Sequence, residues 1–433
     1  VVAGRLIRRG YRDMFRGRFG EPSTPLNFTF CIGPSAIGVI NMKKMRILTA
    51  FDKFKDSMTA TRACEAAESG IRSALGDAAE VKHAPLTDGG EGFCRILTEA
   101  ADGHIEYYPA SGPLGDEIDA PIGWVEEGKL STGVHIHAAG LKGRIAIIEM
   151  ASVAGLEQVP FTQRHPHHCS TRGVGELIRI AVAKKADAIL LGIGGSATSD
   201  LGLGALESMG LRFEGAKDIL PKNWPRVTGL KGRLDFKIPP IYIARDVDNP
   251  LLGPHGAAAI YGPQKGMLAN EVKSFDAQAK RMAKLLCQQM NQPETLMAIP
   301  GCGAAGGIGF GLKVACEAKF VPGFELVEAW LNLPEKIAWA DLILTGEGKF
   351  DLSSLSGKGP YALLLAAREN KKAALLLAGA LDTMTAHKLR NDFPQTRAYA
   401  ISPECMELND ALARGPENLE LTVFSAVNEI DWA

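Results

Sequence analysis

The run Ala188-Ile189-Leu190-Leu191-Gly192-Ile193 carries no polar face, and a stretch with helical spacing, 173–185, precedes it. Six such residues in a row fit a strand covered on both sides, the kind found in a parallel sheet sandwiched between helices. The same grammar recurs along the chain. Short apolar runs at 46–51, 81–86, 105–109, 145–150, 241–244, 341–345 and 373–378 alternate with helical patterns. These cover 57–74 (with Ser57 and Thr59 as capping residues), 91–101, 272–289 and 360–370. Repeated strand–loop–helix units predict an α/β fold with largely parallel sheets. At 433 residues the chain exceeds what one core usually organises, so two domains are expected. Because both ends of the chain carry these units, one domain is expected to be discontinuous. Residues 45–111 plus 301–433 would form a Rossmann-like α/β domain, 112–300 the second, and the active site the cleft between them.

Residues 1–44 differ from the rest. They carry a charge near +6, against near −7 for the remainder, within a net charge of −1. The apolar stretch 28–40 contains Pro34 and is too short to span a bilayer. This segment reads as a leader or an over-extended reading frame, expected to be disordered and dispensable, with the domain opening at Met45. The overall charge balance gives no reason to invoke nucleic acid or a membrane surface as partner. The eight scattered cysteines never fall at a Cys-x-x-Cys spacing, which predicts reduced, mostly buried thiols in a cytoplasmic protein.

Glycine-rich loops follow the apolar runs, where open α/β sheets place ligands. Gly194-Gly195-Ser196-Ala197-Thr198-Ser199-Asp200 offers small residues and hydroxyls at an expected helix start, an anion cradle. A capped tight turn would read the same way. Thr345-Gly346-Glu347-Gly348-Lys349-Phe350-Asp351 has the same placement, with Glu347 and Asp351 suited to Mg²⁺. Gly357-Lys358 follows it. Asp88-Gly89-Gly90-Glu91-Gly92 holds two carboxylates on a flexible backbone, and 51–57 combines Lys53 and Lys55 with acids at a strand end. The Walker spacing does not occur. Gly301-x-Gly303-x-x-Gly306 matches a dinucleotide fingerprint, but 293–300 makes a poor strand before it. His165, His167 and His168 flank Pro166 without a partnering Cys, which favours a loop over a metal site.

Taken in order, these stretches resemble the bacterial type I glycerate kinase family. The resemblance rests on Asp52-x-Phe54-Lys55-x-Ser57, Asp88 to Gly92, Gly112-Pro-Leu-Gly115, Ile148-Glu-Met-Ala151 and Gly175-Glu-Leu-Ile178. It continues through Gly192 to Thr198 with Asp200, Asp246-Val-Asp-Asn-Pro-Leu251, Gly262-Pro-Gln-Lys-Gly266 and Gly303 to Gly307. Thr345-Gly-Glu-Gly348 with Asp351, then Gly357-Lys358, close the set. The resemblance implies two α/β domains and transfer of the ATP γ-phosphate to D-glycerate with Mg²⁺, giving 2-phosphoglycerate or 3-phosphoglycerate. Lys55, Asp88, Glu91, Asp200 and Lys358 are then the expected catalytic residues. Gly194, Gly195, Ser196, Thr198, Lys265, Gly346 and Gly348 are expected to bind substrate or ATP, and Glu347 and Asp351 to hold Mg²⁺. A kinase of another small hydroxy acid, a weakly active metabolite-binding homologue and a nicotinamide oxidoreductase stay open as alternatives, as does a homodimer.

Overall fold

Apolar runs without a polar face do become the central strands. A computed structural model describes residues 44–234, 236–356, 359–403 and 405–430, all within one compact unit, Lys43–Ala433. The expected leader, apart from Lys44, lies outside the described residues.

Two main sheets organise the chain. The first has five strands in the order Thr396–Ala400, Ala373–Ala378, Leu342–Gly346, Met45–Phe51, Ala79–His83, all parallel. N- and C-terminal segments therefore share one sheet. The second has six, in the order Lys319–Pro322, Ile241–Arg245, Ala188–Gly192, Arg144–Glu149, Glu117–Glu126, His104–Ser111. Its first four strands run parallel; Glu117–Glu126 is antiparallel to both of its neighbours. Strands 104–111 and 319–322, grouped by the sequence reading with 45–111 and 301–433, thus hydrogen-bond into the second sheet. A tight turn, Gly112 N–H to Asp116 O at 2.7 Å, keeps 104–111 beside its hairpin partner.

Helices cover both sheets. Helix Ala60–Leu75 packs on helix Gly415–Asn428 so closely that a Cβ on Gly70 would stand 2.5 Å from the Glu420 carbonyl oxygen. A single buried cluster joins Leu48 and Ala50 of the first sheet to Ile145, Ile147 and Leu190 of the second, with Phe93 and Trp330 between them. The two sheets are held by shared apolar burial, the dominant favourable term in such a fold.

Of the two expected capping residues, Thr59 does the work: its Oγ1 accepts from Arg62 N–H at 3.2 Å. Ser57 instead donates to the Leu412 carbonyl at 2.6 Å, tying the 52–57 loop to the C-terminal region. Thr59→Ala should lower stability by about 1 kcal/mol, the usual cost of an N-cap. Urea unfolding with an unchanged slope would show it; an unchanged midpoint would show the cap to be idle.

Candidate active site

The carboxyl ends of strands from both sheets converge on one cavity of about 460 Å³. Its wall contains Lys55, Asp88, Glu91, Gly194, Gly195, Ser196 and Lys265, so seven of the expected site residues come together. Close glycine contacts explain how. Gly194 N–H donates to Gly89 O at 2.9 Å, and a Cβ on Gly194 would lie 2.6 Å from Gly90 N. On Gly195, at φ +69°, a Cβ would stand 2.3 Å from the Glu91 carboxylate. Only glycine lets these loops meet at such distances.

The cradle differs from the expected one. No helix starts directly after Gly194; the next, Leu203–Ser208, begins beyond Asp200. The amides of Gly194 and Ala197 are already given to Gly89 O and Ala154 O. Anion recognition here falls to side chains. Lys53, Lys55, Arg245 and Lys265 bring four cationic groups to the cavity wall, facing Asp88 and Glu91. Lys53 forms an ion pair with Glu91. Lys265 is almost wholly buried, donating to Ser196 Oγ at 2.8 Å and to Thr198 O at 2.5 Å, and burial pulls its amine down to about 7.

Other expected residues serve the frame. Asp200 is buried and does not line the cavity. Its carboxylate accepts from Thr171 N–H and Oγ1, both at 2.8 Å, and from the amides of Gly202 and Gly204 at 3.1 and 3.2 Å. Those bonds knit the start of helix Arg172–Ala183 to the 200–204 turn. Burial still raises its pKa against them. Thr198 is buried behind the wall and contributes a carbonyl to Lys265. Gly346 ends its strand, its carbonyl accepting from Asp52 N–H at 2.9 Å. Gly348 packs against the Lys55 backbone, where a Cβ would lie 3.0 Å from Lys55 N. Lys358 lies outside the described residues.

The carboxylates divide by environment. Asp351 Oδ1 accepts from Ser353 N–H and Oγ at 2.9 and 2.6 Å, and Oδ2 pairs with Lys349 at 2.9 Å. These partners hold it near 2. Its oxygens are committed to the turn, a poor position for a metal ligand. Asp52 is the opposite: burial, then the charges of Asp88 and Glu347, push it up to about 7, partly offset by Lys53. Glu347 is also raised, chiefly by burial, with Asp351 and Asp88 adding to it. Among the described residues no group of three or more His, Cys, Asp or Glu side chains is arranged to hold a metal ion by itself.

Sequence reasoning assigns none of Lys53, Arg245, Tyr261 and Gln264 to the site, yet all four line the cavity. Arg245 ends a buried strand, the signal that could have found it. The Gly301-x-Gly303-x-x-Gly306 stretch follows a short 3₁₀ turn, Glu294–Ala298, with no strand before it. Its glycines serve internal packing: Cβ atoms on Gly303 and Gly306 would fall 2.1 Å from Pro250 O and 2.0 Å from Thr198 O. That removes the basis for a nicotinamide site there. His165 pairs with Glu271 at 3.1 Å and stacks edge-on with His167, as a loop. Of the seven described cysteines, all free thiols, five are buried. No described helix is long and apolar enough to cross a membrane.

Residues 47–430 match the model of the Glycerate kinase family. A glycerate kinase of Halalkalibacterium halodurans is 35% identical over 395 residues, covering 89% of this chain and 98% of that protein. A glycerate 2-kinase of Escherichia coli is 35% identical over 346 residues, covering 78% and 86%. The crystal structure of a glycerate kinase 2 from Salmonella typhimurium LT2 superposes with a TM-score of 0.66 at 32% identity, covering 89% of this chain and 97% of that one.

Proposed function

The chain belongs to the glycerate kinase family and is a kinase, and from that premise we propose that it transfers the γ-phosphoryl group of ATP to D-glycerate, giving 2-phosphoglycerate. The observation that carries the reading is the cavity itself: four cationic side chains meet carboxylates at the converging strand ends. Phosphoryl transfer asks for positioning and charge neutralisation more than for a covalent nucleophile. Lys55 and Lys265 are assigned to phosphate or carboxylate oxygens, together with Lys53 and Arg245. A glycerate hydroxyl oxygen bonds to the γ-phosphorus as the bond to the ADP oxygen breaks, and its proton passes to Asp88 or Glu91.

Mg²⁺ fits the acidic end of the site. After burial, the charge of Asp88 raises both Asp52 and Glu347, and that of Glu347 raises Asp52, a crowding of negative charge that a divalent cation relieves. Mg²⁺ usually takes one or two carboxylates plus substrate phosphates, so a complete protein cage is not needed. When bound it would shield phosphate charge. The relative named a glycerate 2-kinase supports the 2-position.

The test is ADP release from ATP, Mg²⁺ and a panel of short hydroxy acids, with phosphorus NMR of the product. D-glycerate should be the best acceptor and the product resonance that of the 2-phosphate. Faster turnover of another hydroxy acid would replace the substrate, and no ADP with any of them would remove the kinase reading.

A further inference from the structure

Lys265 stands out among the cavity's cations by its partners. The ammonium of a wholly buried lysine is normally balanced by a carboxylate, because an unpaired buried charge is costly. Lys265 is 1% exposed, and it donates to two neutral oxygens, Ser196 Oγ and Thr198 O. Two acids or thiols influence it from behind the wall. Cys169 is a thiol pushed up to about 11 by burial, and Asp200 already accepts bonds from Thr171, Gly202 and Gly204. Arg164 packs its carbonyl and Cβ on Gly266, the residue after Lys265. Across the cavity stand Lys53, paired with Glu91, Arg245, paired with Asp248, and the carboxylate of Asp246.

An amine with two hydrogens placed on neutral acceptors is satisfied while uncharged. Ser196 nevertheless lines the cavity, so an anionic group hydrogen-bonded there would lie beside that amine.

We infer that Lys265 is a proton-coupled anion receptor: it takes a proton from solvent as a carboxylate or phosphate group docks against Ser196, and returns it when that group leaves. The coupling rests on the kinase reading for the identity of the ligands, glycerate or nucleotide, but not on turnover. An arriving anion stabilises the ammonium form, because opposite charge at close range favours the charged state. By linkage, the same proton must then make anion binding weaken as pH rises above about 7, where burial has left the free amine uncharged. The Ser196 side of the wall therefore carries little positive charge when empty and a full one when filled.

Isothermal titration at pH 8 without Mg²⁺, in Tris and in HEPES, tests this. D-glycerate alone and ADP alone are the two arms, and both are fully ionised at that pH. The arm that engages Lys265 should show a binding heat that differs between buffers, corresponding to uptake of nearly one proton per ligand. Its affinity should fall by up to tenfold per pH unit between pH 7.5 and 9. Lys265→Arg, charged throughout, should abolish the uptake, and so should Lys265→Met with at least tenfold weaker binding. Uptake that survives in either variant belongs to another group and overturns the inference. So do buffer-independent heats with pH-independent affinity in both arms of the wild type, a measurement that needs no variant to fold. Absence of binding in both arms overturns it too, and wild-type ADP release from ATP and glycerate then tells whether the kinase reading falls with it.

Discussion

Lys55→Ala lowers turnover by about two to three powers of ten and leaves the fold intact. The magnitude is that of deleting one preorganised electrostatic donor from a site where charge develops. Lys55 belongs to the loop that follows strand Met45–Phe51, and its side chain is exposed on the cavity wall. The backbone beneath it is fixed independently, by Gly348, packed so close that an added Cβ would lie 3.0 Å from Lys55 N, and by the Ser57 bond to Leu412. Removing the ammonium therefore strands no buried partner, and an exposed substitution of this kind changes stability by about 0.5 kcal/mol or less. A bound triphosphate or carboxylate, by contrast, loses a cation at close range. Steady-state kinetics beside circular dichroism separates the two consequences. Unchanged turnover on a folded variant makes Lys55 a surface residue and removes it from the mechanism.

Much of this site was legible because strand ends are legible. A run such as 188–193 announces a buried strand by lacking a polar face, and the loops after such strands are where ligands bind in α/β folds. That argument reaches Gly194 to Ser196 and Asp88 to Glu91. It fails in two directions. Asp200 looks catalytic in writing because a carboxylate after a glycine loop is the usual sign, whereas in space it is the acceptor that closes the 200–204 turn on Thr171. Sequence holds no record of where a side chain's hydrogen bonds go. Arg245 goes unassigned for the converse reason: one arginine at the end of a short strand carries no motif, and only the folded chain brings it to the cavity that Lys53 lines. The antiparallel strand Glu117–Glu126 was missed although Ile122 and Trp124 alternate on one face and are buried. Its acids and Pro121 obscured a period that the hairpin enforces.

Asp52→Asn should stabilise the protein at neutral pH in the presence of a chelator, while impairing its response to Mg²⁺. Asp52 is pushed up to about 7, first by burial and next by Asp88, from about 3.9 for an ordinary aspartate. The sign follows from which form the fold prefers. Because the folded pKa is raised, the protonated acid is favoured by folding; below about pH 4 the group costs nothing. Stability is lost as pH rises from about 4 through 7, and the loss is complete above that. Three units of separation correspond to about 4 kcal/mol. Burial supplies the larger part of that and the charges of Asp88 and Glu347 the rest, so a gain of about 2–4 kcal/mol is expected from the neutral amide at pH 8. Asparagine keeps the oxygen that accepts from Lys53 N–H at 2.7 Å, so the loop retains its turn. At pH 4 wild type and variant should unfold at the same denaturant concentration. Adding Mg²⁺ at pH 8 should close the gap from the wild-type side alone, because the cation offsets a repulsion that the variant has lost. Equal midpoints at pH 8 with chelator would mean that Asp52 carries no strain, and a variant that gains as much from Mg²⁺ as the wild type would take Asp52 out of the cation site.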